Sequence, residues 1–257
     1  MSATTYAAID ISTTSRPPMS RLVKVELRKM VDTRAGMWLM IAIAVITVVA
    51  VTIFGFAADE EDQTFGNFMG FTGSPQGFLL PVMGILLVTQ EWSQRTAMVT
   101  FTLEPRRSRT LAAKVYAALL LGLAAIVLAM ATAALATLIF NSSSGFDEFV
   151  PLDFVKFGLL QVSGVLQGLA FGLLFLNSAA AIVTFFVLPT VFSIIANVWS
   201  FLQDKAAWID FGTAQGPLFE TGSLSGKEWA QLAVTGTVWV ILPFVAGLWR
   251  MLRAEVK

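Results

Sequence analysis

Neither histidine nor cysteine occurs in the chain, so imidazole and thiol chemistry, the commonest metal ligands and any disulfide framework are excluded at the outset. Carboxylates, amines, guanidinium groups and hydroxyls remain. No two carboxylates fall within an apolar stretch where they could act as acid and base. Gly222-Ser-Leu-Ser-Gly226-Lys227-Glu228 approaches a phosphate-binding loop, but its glycines are one residue too close and no Ser or Thr follows the lysine. Asn141-Ser-Ser matches a glycosylation acceptor, a pattern short enough to arise by chance. No catalytic residue, metal site or nucleic-acid partner is therefore expected, and the polar residues must serve mechanics.

The elements that position them are set by lipid. Of the 257 residues, 56% are hydrophobic and only 13% charged, and mean hydropathy is +0.74, against roughly 45–50% and 25% in soluble globular proteins. An all-α integral membrane protein follows, because a span needs about 20 mostly apolar residues and six segments qualify: 37–56, 77–92, 111–140, 154–176, 178–202 and 229–249. The second carries Pro81 and Gly84, so it is either kinked or continues past Glu91 as a cytosolic helix. The fourth and fifth leave room only for a tight antiparallel hairpin at Asn177–Ser178.

Orientation comes from the basic residues. Arg16, Arg21, Lys24, Arg28, Lys29 and Arg34 precede the first span, Arg95, Arg106, Arg107 and Arg109 follow the second, and Arg250, Arg253 and Lys257 close the chain. The intervening loops carry Asp59, Glu60, Glu61 and Asp62, then Asp147, Glu148 and Asp153. Basic loops alternate by side, which places both termini in the cytoplasm and the chain in the plasma (inner) membrane. Residues 1–19, Ser/Thr-rich with Pro17 and Pro18, form a disordered tail rather than a signal peptide. Residues 20–36 form an amphipathic helix, with Val23, Leu27, Met30 and Val31 at helical spacing and Arg21, Lys24, Arg28 and Lys29 around them. Such a helix before a span lies in the headgroup plane, in contact with lipid.

No charge falls mid-span. Lys114, Asp153 and Lys156 sit near span edges, where long side chains snorkel to water, and the lack of a buried relay argues against a proton-driven carrier. Gln161, Gln167, Ser163, Asn197 and Thr132 are expected to bond between helices. Gly164, Gly168 and Gly172 make a flat strip for close packing, within the chain or between subunits. The external segment 203–228, with Trp208, Ile209, Phe211 and Phe219, is too apolar for a free loop. It either folds back as a cap, led by Trp208 and Phe211, or is an ordered connector.

The cytosolic loop 91–110 is the most informative stretch. Residues 91–104 are expected to form one short helix whose patch is Ala97, Met98, Phe101 and Leu103, with Trp92 also exposed. Pro105 stops it, and Arg106, Arg107 and Arg109 then lead into the third span. A rigid helix joined directly to two spans is a lever.

Glu91, then Arg95-Thr96, Leu103, Pro105, Ser108-Arg109 and Lys114 resemble the E…RT/G…L..P.SR…K pattern of ABC-2 type permeases, the membrane subunits of bacterial ABC exporters. The likeness extends over most of the chain through its order of elements. It implies a second permease copy or homologue, two separate ATP-binding subunits holding ATP and Mg, and docking of those subunits on Glu91, Arg95, Thr96, Met98, Phe101, Pro105, Ser108 and Arg109. This chain would bind no cofactor itself. Small permeases of this kind are associated with export of drugs or antibiotics. No substrate-binding residue is named by the pattern. The competing reading is a membrane anchor or sensor that recruits a cytosolic partner through the same loop.

Overall fold

The computed structural model describes residues 16–141, 145–146, 150–203, 205–220 and 222–254. The Ser/Thr-rich tail over 1–15, Asp147, Glu148, Lys257 and the side chain of Asn197 lie outside them. All described elements are helical. Helix α1 (Met19–Asp32) meets α2 (Arg34–Ala57) at Thr33, whose extended backbone breaks the helix and whose hydroxyl accepts the Gly36 amide as a cap. The corner is so tight that a Cβ on Gly36 would lie 1.9 Å from the Met30 carbonyl oxygen. Then come α3 (Phe65–Ser93), short α4 (Ala97–Leu103), α5 (Arg107–Phe140), α6 (Pro151–Phe175) and α7 (Ser178–Val198). Three short helices follow, α8 (Ser200–Gln203), α9 (Ala206–Ile209) and α10 (Phe211–Gln215). Finally α11 (Gly226–Gly236), a π-helical turn over Thr237–Ile241 and α12 (Leu242–Arg253) run on as one rod.

Among the described residues six helices are long and apolar enough to cross a membrane: α2, α3, α5, α6, α7 and the α11–α12 rod. The hairpin between α6 and α7 turns on Leu176, which takes a left-handed backbone (φ 51°), and on Asn177, whose side chain caps α7. Helices α3 and α6 are the interior pair, with 72% and 56% of their apolar windows buried, against 11% for α7 and 17% for α2. The glycine strip joins them within the chain. A Cβ on Gly168 would sit 2.0 Å from the Pro81 carbonyl oxygen and one on Gly172 2.9 Å from that of Ile85, whereas one on Gly164 would make an ordinary 3.5 Å contact with the Pro81 side chain. Gln161 spans the same seam, donating to Gln76 Oε1 at 2.6 Å.

Several boundaries differ from expectation. Helix α3 starts at Phe65 rather than 77, because Phe65, Phe68 and Met69 are buried against Ala129, Ala133, Ala136 and Phe157. Phe54 also stacks on Phe71 at 4.1 Å. Helix α5 begins at Arg107 rather than 111, and α7 ends at Val198 rather than 202. The rod starts at Gly226, where Ser225 and Glu228 form a reciprocal capping box. The segment that approaches a phosphate loop is thus the start of a helix.

Candidate functional site

At one end of the bundle the C-terminus of α3, helix α4, the N-terminus of α5 and helix α1 converge. The predicted single helix over 91–104 is two elements. Helix α3 runs on through Glu91 and Trp92 to Ser93, Arg95 turns the chain with φ 57°, and α4 restarts at Ala97. The turn is closed by the Thr96 amide donating to the Glu91 carbonyl at 2.8 Å. Pro105 follows the last turn of α4, as its missing N–H requires.

The central feature is a closed ring of four charges. Lys29 Nζ lies 2.8 Å from Glu26 Oε1 and 2.6 Å from Glu91 Oε1, while Lys114 Nζ lies 2.6 Å from Glu26 Oε2 and 3.3 Å from Glu91 Oε2. Each carboxylate therefore bridges both lysines. Lys114 also donates to the Leu87 carbonyl and Thr100 to Glu91 Oε1, so α1, α3, α4 and α5 all enter one network. Lys114, Glu26 and Glu91 side chains are 3%, 5% and 6% exposed. Lone charges at such burial would be expensive, and the ring is tolerated because its signs balance and its hydrogen-bonding capacity is used. Burial works against the charged form of Lys29, but the neighbouring Glu26 and Glu91 carboxylates outweigh it and hold the pKa above the ordinary lysine value. Beside the ring lies a cavity of about 500 Å³, lined by Arg21, Gln90, Gln94, Thr100, Leu103 and Thr110 among others. The Thr110 hydroxyl is buried there without a hydrogen-bond partner.

Two expectations fail at this ring. Lys114 does not snorkel, because Glu26 and Glu91 meet its charge inside the protein. Lys29 does not share the solvated face of α1; it turns inward, while Arg21, Lys24 and Arg28 stay exposed and Arg28 pairs with Asp32 at 2.9 Å. Val31, expected on the apolar stripe, is exposed, and Glu26 takes its place between Val23 and Met30.

Around the ring the remaining loop residues divide by exposure. Arg95, Thr96, Pro105 and Ser108 are exposed. Arg109 ties the start of α5 to Glu104 Oε2 and to the Pro17 carbonyl, each at 2.7 Å. Trp92 and Phe101 are half-buried rather than exposed: they pack on each other, and the Arg107 guanidinium lies 4.8 Å above the Phe101 ring. The apolar surface that α4 presents is Met98, Val99 and Leu103, at 54%, 58% and 77% exposure. Arg107 also donates to carbonyls of Met251 and Ala254, clamping the end of α12. Thr89 and Ser93 bond to Ser178 at the start of α7.

At the opposite end, segment 203–228 folds back onto the bundle. Phe211 is buried with Phe171 and Trp239, Trp208 is half-buried, and Trp239 donates its indole N–H to the Ile209 carbonyl. Lys156 does not snorkel either. It is 1% exposed, paired with Asp153 at 2.8 Å and bonded to the carbonyls of Glu220 and Gly222. Ser163 accepts from Gln215 across elements, but Thr132 bonds only to the Leu128 carbonyl of its own helix.

Sequence reasoning missed Glu26, Thr100 and the inward role of Lys114. The signal for Glu26 was present: it is the one acid on the apolar stripe of α1, three residues from Val23 and four from Met30. Among the described residues no cluster of acidic side chains is placed to hold a metal ion. In comparisons with known proteins, no family model matches the chain and no curated protein matches it.

Proposed function

We propose that this chain is the membrane permease subunit of an ATP-driven exporter, moving a small hydrophobic or amphipathic compound across the plasma membrane. ATP and Mg belong to separate ATP-binding subunits, and a second copy or homologue completes the path. The observation that carries this reading is the charge ring, which makes α4 a short apolar knob fastened to three other helices. A partner pressing on Met98, Val99 and Leu103 moves α1, α3 and α5 together, because displacing one alone separates buried opposite charges. The basic residues of α1, of the α3–α5 connection and of the end of α12 lie at this end, and Glu60, Glu61 and Asp62 lie at the other. That asymmetry supports a cytosolic position for the knob and for both termini. Sparse burial of α2 and α7 supports a second copy, whose contact would cover part of what lipid otherwise covers.

Met98→Asp and Leu103→Asp test the reading, since both side chains are exposed and neither touches the ring. In proteoliposomes with the partner ATPase, both variants are expected to insert and unfold like wild type yet to stimulate ATP hydrolysis less than a tenth as well. Full stimulation by both refutes docking at α4.

A further inference from the structure

Between α2, α3 and α5, away from the charge ring, lies a second cavity of about 300 Å³, at the lower end of the range for small-molecule sites. Its walls are aliphatic except for Thr47, Gln76 and Thr132, and no charged side chain lines it. Val48 and Leu128 on its rim are 59% and 64% exposed, so it opens sideways between α2 and α5.

Thr47 is anomalous there. Thr89, Thr132, Thr137, Thr190, Thr235 and Thr237 each donate to the carbonyl four residues earlier, the usual way a threonine hydroxyl is satisfied inside a helix. Thr47 is only 6% exposed, lines the cavity, and its hydroxyl has no partner. Gln76 is 3% exposed and its Oε1 accepts from Gln161, so the acceptor half of its amide is engaged. A buried hydroxyl thus stands unused beside the Gln76 amide in one apolar pocket, where native structures rarely leave polar groups unmatched.

We infer that this cavity binds an uncharged, largely hydrocarbon molecule with one hydroxyl or carbonyl oxygen, held by Thr47 and Gln76. Depth excludes a phospholipid headgroup. At 1.5 Å per residue Thr47 stands roughly 20 Å along α2 from Arg34 and roughly 15 Å from Ala57, near the middle of a hydrocarbon layer about 30 Å thick. Phosphate and glycerol oxygens stay at the interface, whereas a neutral single-oxygen molecule can carry its polar group to that depth. The absence of a charged lining residue excludes a carboxylate for the same electrostatic reason.

Photolabelling of the full chain in phospholipid nanodiscs tests this directly, using a long-chain primary alcohol with a mid-chain diazirine. Labelling is expected to saturate and to map around Thr47, Gln76 and Leu128. Thr47→Val, which removes the hydroxyl at nearly constant shape, is expected to weaken half-saturation roughly 3- to 10-fold, the effect of one hydrogen bond. Ala124→Trp, placed on the exposed side of the cavity so that the fold is undisturbed, is expected to abolish it. Competition by a water-insoluble long-chain ketone dissolved in the nanodisc identifies the occupant as a neutral bilayer lipid; competition by unlabelled alcohol alone identifies a solute taken from solution. Labelling that fails to saturate, that spreads over α7 at Val187 and Ile194, or that ignores both substitutions overturns the site. The readout is binding rather than ATP turnover, so its failure leaves the exporter reading standing and the converse also holds.

Discussion

Glu91→Gln removes one negative charge from the ring while keeping the side chain's shape. In the native protein Glu91 meets Lys29 at 2.6 Å, Lys114 at 3.3 Å and the Thr100 hydroxyl at 2.9 Å. After the change two ammonium groups share Glu26 alone, and Lys114, 3% exposed, has no route to water. Removing one partner of a buried ion pair costs about 3–5 kcal/mol, most of it the stranded charge. Each kcal/mol lowers the midpoint of a chain this size by roughly 2–4 °C, so thermal unfolding in detergent is expected to fall by roughly 6–20 °C. Arg28→Gln is the control: it breaks the Arg28–Asp32 pair, whose side chains are 78% and 59% exposed, and such surface pairs contribute about 0–1 kcal/mol. The decisive measurement is the double variant Glu91→Gln/Lys114→Met, which leaves Glu26 and Lys29 balanced. Its loss should be smaller than the sum of the single losses by about 2 kcal/mol or more, within the range measured for contacting pairs. Additive losses, or a Glu91→Gln protein within about 1 kcal/mol of wild type, would refute the account of the ring as a single electrostatic unit.

The glycine strip and Lys29 supply two further tests. Gly168→Ala pushes a methyl group to 2.0 Å from the Pro81 carbonyl and Gly164→Ala meets nothing nearer than 3.5 Å, so the first is expected to destabilise by about 1–3 kcal/mol and the second to leave the unfolding midpoint unchanged. Equal effects would place the α3–α6 seam elsewhere. Because the Lys29 pKa is raised by its carboxylate neighbours, its stabilising contribution is fully present below the ordinary lysine value of about 10.4 and is lost only as pH climbs through the higher folded-state value. The stability gap between wild type and Lys29→Met, followed by unfolding at increasing alkaline pH, should stay constant up to about pH 10.4 and close above it. A gap that closes well below that value contradicts the pairing.

What the amino-acid order disclosed, and what it hid, follows from how apolar residues are used in lipid. The more apolar helices are the less buried: α2, α5 and α7 have mean hydropathies of 2.8, 2.5 and 2.3 with 17%, 28% and 11% buried, whereas α3 and α6 have 1.5 and 1.6 with 72% and 56% buried. Hydropathy therefore marks the outside of this bundle. It delimited α2 to within three residues and lost the first three turns of α3, where Gly66, Asn67, Gly70, Gly73, Ser74 and Gln76 dilute the signal. Of these, Gly73 and Gln76 are buried against other helices, which accept glycine and amide groups more readily than lipid does. The same cause hid the ring. Charges at the edge of an apolar stretch read as solvated, and nothing in the local order of Lys114 reveals that Glu26 and Glu91, 88 and 23 residues away, will meet it.

The arrangement of polar groups makes α3 the helix on which the chain's specific features accumulate. Gln76 in the lateral cavity, Pro81 in the glycine seam, Thr89 against Ser178 and Glu91 in the ring all stand on it. A helix buried on most of its surface is free of the demand to dissolve in hydrocarbon, and so is the one where groups that bond, bend and pair can be placed. Glu91 is the member of this set that the resemblance also singles out, but the reason given by the geometry differs: with both of its oxygens already engaged by lysines inside the protein, it is positioned to hold α4 to the bundle. The surface available to a partner is instead the neighbouring Met98, Val99 and Leu103.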